Sequence, residues 1–150
     1  MDKAKLKKVS HIWSVLCSSS SIDAEKNNIT LINVLEQITL HPNEETKSIP
    51  KGAKKIINIS FELVSFWKKN DTEEEVNIEG EAIFLDPHGE RMGSLKFPIK
   101  IKNPTRRLRS RLQFKNLQVV ESGDYTWQIK VRDGDTDYVA TEIPLEIKVS

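Results

Sequence analysis

Arg107, Arg109 and Arg111 recur at every second position, and Lys115 follows in the same phase. If that stretch is extended, all four charges share one face, because side chains along a strand alternate with a period of two. A guanidinium is a planar fork of donors that suits phosphate and carboxylate alike. The chemistry offered by this spacing is therefore anion binding, with Arg107, Arg109, Arg111 and Lys115 as the candidate residues. The anionic partner would be a nucleic-acid backbone or an acidic protein. No aromatic residue interleaves with these arginines to stack bases, and no nucleic-acid motif is present. The plainer reading is a set of arginines that are solvated or paired across strands.

Other chemistry-bearing residues are sparse. The three histidines, His11, His41 and His88, fall in a predicted strand, a loop and a turn, and no pair has the spacing of metal ligands. His88, between Pro87 and Gly89, reads as a solvated turn residue. Cys17 sits in an apolar stretch, where a cysteine serves either as a small core residue or, less simply, as a nucleophile. No glycine-rich phosphate loop, nucleophile elbow or His-Glu-x-x-His helix occurs. The expectation is a protein that is not an enzyme and uses no cofactor and no metal.

Charge is informative in its distribution, not its total. The 150 residues carry 23 Lys and Arg against 22 Asp and Glu, a net charge of +1. Yet Asp71 to Glu90 holds eight acids and no base, and Arg91 to Lys115 holds nine bases and no acid. A hairpin turning at Pro87-His88-Gly89-Glu90 reconciles the blocks. It pairs Asp86 with Arg91 and sets Ala82 against Leu95, Ile78 against Ile99 and Val76 against Ile101 on the buried side. On the other side Glu81 meets Lys96 and Glu75 meets Lys102. One register thus satisfies both the apolar and the charged pattern. Nothing local opposes Arg107, Arg109 and Arg111, which lie beyond it.

The elements that position these residues are strands. Ile57, Ile59, Phe61, Leu63 and Trp67 alternate with Asn58, Ser60, Glu62 and Lys68, the pattern of a strand with one buried face. The alternation recurs through Val76–Phe84, Leu95–Ile101, Leu108–Phe114, Tyr125–Val131 and Val139–Val149. The runs Val9–Cys17 and Ile29–Leu40 are apolar on both faces in places. With turns at 23–28, 86–90, 103–104, 121–123 and 133–135, the chain reads as about eight strands and no long helix. The expected fold is all-β: a single antiparallel β-sandwich over residues 1–150, with a mobile N-terminus (1–8) and a long mobile crossover loop (41–55). Trp13, Ile59, Phe61, Trp67, Phe84, Phe97, Phe114, Tyr125 and Trp127 would form its core. Pro98 and Pro144 should mark edge positions or bulges, since proline donates no ladder hydrogen bond. Val64, Phe66, Ile83 and Leu85 point outward and form an interface or lie beneath the long loop; Val64 and Phe66 at least should be covered by something.

Glu121-Ser122-Gly123-Asp124-Tyr125-Thr126-Trp127 resembles the entry to the sixth strand of an immunoglobulin-like sandwich, where a tyrosine hydroxyl bonds back to the backbone. Trp127 stands where antibody domains place a cysteine, so the disulfide-bearing branch is not matched. Val15-Leu16-Cys17, Ile29-Thr30-Leu31-Ile32-Asn33-Val34 and Pro144-Leu145-Glu146-Ile147 are together similar to a family of small bacterial and phage proteins, a domain of unknown function with an immunoglobulin-like β-sandwich. That resemblance implies a fold and supplies no catalytic residue.

Lys3, Lys5, Lys7 and Lys8 precede an apolar run, as in a secretory signal. Ser10, His11 and Ser14 interrupt that run, and Leu16 is large where a cleavage site needs a small residue. The expected location is the cytoplasm, with no membrane association. The expected function is a binding or structural module acting through sandwich edges or loops, with a protein partner or self-association. Anion or nucleic-acid binding on the arginine strand is the alternative.

Overall fold

The structure, a computed structural model, describes residues 7–40 and 53–149. Nine strands and no helix are present among them: β1 (Val9–Ile22), β2 (Ile29–Val34), β3 (Gln37–Leu40), β4 (Lys55–Lys69), β5 (Val76–Leu85), β6 (Arg91–Ile101), β7 (Arg107–Val119), β8 (Gly123–Asp133) and β9 (Thr136–Val149). They form a four-stranded sheet ordered β2-β1-β4-β7 and a five-stranded sheet ordered β3-β9-β8-β5-β6. The inner faces of the two sheets share one apolar core, so the chain is a β-sandwich. The expected loop at 41–55 lies outside the described residues up to position 52, as does the start of the expected N-terminal segment.

Two expectations are corrected by one feature. Ile29–Leu40 was expected to be a single strand among about eight in an antiparallel sandwich. It is instead two strands in different sheets, which makes nine. Asn33 turns to a left-handed φ of 52°, and the backbone then bridges the sheets: Leu35 N–H donates to Leu16 O at 2.8 Å and Glu146 N–H donates to Glu36 O at 3.1 Å. The chain therefore arrives on the second sheet alongside β9 and runs parallel to it, pairing Gln37 with Glu146 through Leu40 with Val149. The five-stranded sheet is mixed.

The β5–β6 hairpin keeps the expected register at Val76↔Ile101, Ile78↔Ile99, Glu81↔Lys96 and Ala82↔Leu95. A bulge at Phe84/Leu85 sets Leu85, not Asp86, opposite Arg91. Asp86 is thereby released to organise the turn, its carboxylate accepting from His88 N–H and Glu90 N–H, both at 2.8 Å. The ion pairs run diagonally: Arg91 reaches Glu81 at 2.7 Å and Lys96 reaches Glu79 at 3.7 Å. Glu75 precedes β5 and is not in the ladder, and Leu95 is exposed on the sheet edge instead of buried.

Buried Phe61, Leu63, Trp67, Phe84, Phe97, Tyr125 and Trp127 form the core, with Ile59 and Phe114 packed against it. Phe61, Phe84 and Phe114 surround Trp127 at ring distances of 6.1, 4.8 and 4.9 Å. The Tyr125 hydroxyl bonds back as the sequence pattern predicts: it donates to Glu121 O at 2.7 Å and accepts from Val120 N–H at 2.9 Å and Glu121 N–H at 3.1 Å. Trp13 departs from the expected core. A register shift between His11 and Trp13 reverses the alternation of β1, so His11 packs inward against Trp67 while Trp13 lies on the outer face. Pro98 is on edge strand β6. Pro144 lies in β9 before β3 begins to flank it at Glu146, so that side is an edge there too.

Candidate functional site

β7 is an edge strand, and its pairing with β4 places the predicted site residues. Lys68 lies opposite Arg107, Phe66 opposite Arg109, Val64 opposite Arg111 and Glu62 opposite Gln113. Directly opposed residues share a face, so the arginines stand on the outer face of the four-stranded sheet with Glu62, Val64, Phe66 and Lys68. Beyond β4, Trp13 of β1 is opposite Phe66 and stacks on it at 5.6 Å with planes 21° apart.

The structure separates the four predicted residues. β1 leaves β4 after Cys17 and, with β2, forms a hairpin that crosses the outer face. Arg111 donates from Nε to Ser20 Oγ at 2.8 Å and from Nη2 to Ser20 O at 3.1 Å, and its Nη2 lies 3.7 Å from Glu62. Glu62 is buried, and also accepts from Ser20 Oγ at 2.5 Å and Gln113 Nε2 at 3.2 Å. Arg109, half-buried, donates to Asn27 O at 2.7 Å and Asn27 Oδ1 at 2.6 Å, at the hairpin's tip. Nothing local in the chain opposes these two arginines; their partners are remote in sequence, and through them they pin the hairpin. Arg107 and Lys115 are exposed and have no bonded partner among the described residues. The expectation of cover for Val64 and Phe66 holds: Val64 is buried beneath the hairpin and Phe66 is half-buried against Trp13.

Sequence reasoning missed that aromatics do flank the arginines, because they come from neighbouring strands instead of interleaving along β7. The outward phase of Phe66 and Lys68 was readable from the β4 alternation; that of Trp13 was not, because the bulge hides it. Beneath the hairpin, Cys17 is buried, and burial, reinforced by the Glu62 carboxylate, pushes its thiol pKa up. It is a protonated packing residue rather than a thiolate nucleophile.

His11 Nε2 lies 2.6 Å from Ser14 Oγ, which lies 2.7 Å from Ser65 Oγ. Burial lowers the His11 pKa, opposed by a backbone hydrogen bond with Trp13. Ser14 also lines a cleft of about 540 Å³ whose charged residues are Glu36, Asp124 and Glu146, with no cation. The imidazole–hydroxyl chain links β1 to β4 beside the bulge. His88 is exposed and meets Glu121 at 2.6 Å, joining two turns, and His41 lies outside the described residues. No group of three metal-binding side chains occurs among the described residues. A concavity of about 990 Å³ is an open groove on the five-stranded sheet. Three of its four bases, Lys8, Lys96 and Arg132, are matched by Asp133, Glu79 and Asp137 respectively, and Lys100 stands exposed beside them. No helix among the described residues is long and apolar enough to cross a membrane.

The four sheet edges differ. β6 carries Lys96, Pro98 and Lys100, and β7 carries the arginines and Lys115; of β3, Gln37–Leu40 is described. Charges and proline are usual guards against strand addition. β2, Ile29-Thr30-Leu31-Ile32-Asn33-Val34, has neither charge nor proline, and exposes Ile32 by 45% and Val34 by 53%.

Compared with known proteins, the chain matches no protein-family model and no curated protein.

Proposed function

We propose that this chain is a non-enzymatic binding module, an immunoglobulin-like sandwich that takes a protein partner, or a second copy of itself, on the open edge of β2. The observation that carries this reading is the contrast between the unguarded, apolar edge of β2 and the guarded edges of β6 and β7. An extended segment laid beside β2 would satisfy its free backbone groups and cover Ile32 and Val34. The immunoglobulin-like assignment is supported by the first part of the chain being split between the sheets, its later piece parallel to the last strand, and by the Tyr125 corner. The cytoplasmic location proposed with it fits a lone buried thiol.

The test places a photo-crosslinking residue at position 32 and, as control, at position 94 on the guarded β6 edge. Crosslinks to a second copy or to a host protein should form from position 32 and vanish in a Thr30→Pro background. Sedimentation of the wild type at increasing concentration separates self-association from a foreign partner. A wild type that remains monomeric and gives no crosslink from position 32 would defeat the proposal.

A further inference from the structure

A second surface, independent of the β2 edge, lies at the other end of the same sheet. We infer that the outer face formed by Trp13, Phe66, Lys68, Arg107 and Arg109 binds single-stranded nucleic acid. Three observations point there. First, Lys68 and Arg107 stand directly opposite each other on β4 and β7, a like-charge pairing that costs the free sheet stability and that a bound polyanion would relieve. Neither has a carboxylate partner among the described residues, and exposed Arg106 is the next residue along the chain.

Second, Arg109 is fixed but not neutralised. Both its partners, the Asn27 carbonyl and side-chain oxygen, are uncharged. Its full positive charge is held in a set direction opposite Phe66, whereas that of Arg111 is offset by Glu62. Third, the Trp13–Phe66 stack lies in the row beside these cations and is only half-buried, so ring surface stays open to solvent. Ser10 and Asn70, bonded to each other at 2.6 Å on the same face, add polar groups at its border.

Cations that track a backbone, set beside open rings on which bases stack, are the two components of single-strand recognition. An acidic protein would use the cations and leave the rings idle. A duplex, with its bases already stacked, would do the same. The single strand is therefore the occupant that uses the whole surface.

The experiment follows fluorescence anisotropy of a labelled oligothymidylate on addition of the full chain, with the matching duplex and poly-glutamate as competitors. At about 50 mM salt the single strand should bind, with a log–log salt slope of about −2 to −3 for three to four neutralised phosphates. Trp13→Leu and Phe66→Leu, which keep the face apolar, should each weaken binding roughly tenfold. Arg107→Ala should weaken binding and flatten the slope by about one contact. Near-ultraviolet circular dichroism confirms that each variant is folded. Absence of binding at low salt overturns the inference. So does poly-glutamate competing as well as the unlabelled single strand, which would assign the face to an acidic protein. Folded aromatic variants that bind like the wild type overturn it equally.

Discussion

Replacing Tyr125 by Phe isolates a single hydroxyl at the corner between β7 and β8. The ring is fully buried and stacks on Phe84 at 5.3 Å with planes 13° apart, contacts that phenylalanine retains. What is lost is one donated bond to Glu121 O and two accepted bonds, from Val120 N–H and Glu121 N–H. Glu121 is exposed, so water replaces the hydroxyl at its amide and carbonyl at little cost. Val120 is half-buried, and its orphaned N–H carries most of the penalty. An unsatisfied, largely buried donor costs about 1–3 kcal/mol, and each replaced bond contributes a smaller share, so the expected loss is about 2 kcal/mol. For a chain of this length that corresponds to a melting temperature lower by roughly 4–8 °C. Equilibrium urea unfolding reads the loss directly, with an unchanged m-value because the exposed surface is the same. A loss below about 0.5 kcal/mol would mean that water reaches Val120 freely and that the corner does not anchor the turn.

Arg111→Ala removes the cation beside the buried Glu62 and frees Ser20 from β7, so hydrogen exchange should accelerate at the amides of Ser18–Asn33 and stay unchanged in β5 and β8; uniform acceleration over both sheets would refute the clasp. Burial holds the folded pKa of His11 below 6.5, so on acidification the unfolded chain binds the proton first. Its contribution to stability is therefore complete above pH 6.5 and declines as pH falls below that value; His11→Asn should flatten this part of the stability–pH curve, and identical curves for the two proteins would contradict it.

The legible parts of this fold are those where two independent patterns agree. The β5–β6 register was readable because the apolar and charged residues demanded the same pairing. It failed at the bulge, where a residue drops out of phase without any change in composition, and at Glu75, which lies before the strand begins. Trp13 was misread for the same reason, since one irregularity in β1 moves the next side chain to the opposite face. The break between β2 and β3 is hidden in a continuous apolar run, because Asn33 is marked by its conformation rather than by a turn sequence. At the candidate site, the arginine face was legible from spacing within β7. Its partners were not: Asn27 and Ser20 are 82 and 91 residues away in the chain, and no local pattern encodes so remote a contact.

The bridge from β2 to β3 also sets the order in which the sandwich can be assembled. β3 is made early, yet the strand it pairs with is β9, the last of the nine, which lies between β3 and β8. During synthesis β3 must wait more than a hundred residues, from Leu40 to Val149, for its ladder. The β1–β2–β4 portion has its pairing partners much sooner. A nascent chain would then carry a partly built first sheet beside an unclosed second one, with β8 and β3 both exposing free edges. β9 then fills the gap between β8 and β3, and its ladder with β3 joins residues more than a hundred apart in the chain, the kind of long-range pairing that forms slowly. Any chain interrupted before residue 136 would retain the tyrosine corner and lose the lock between the sheets.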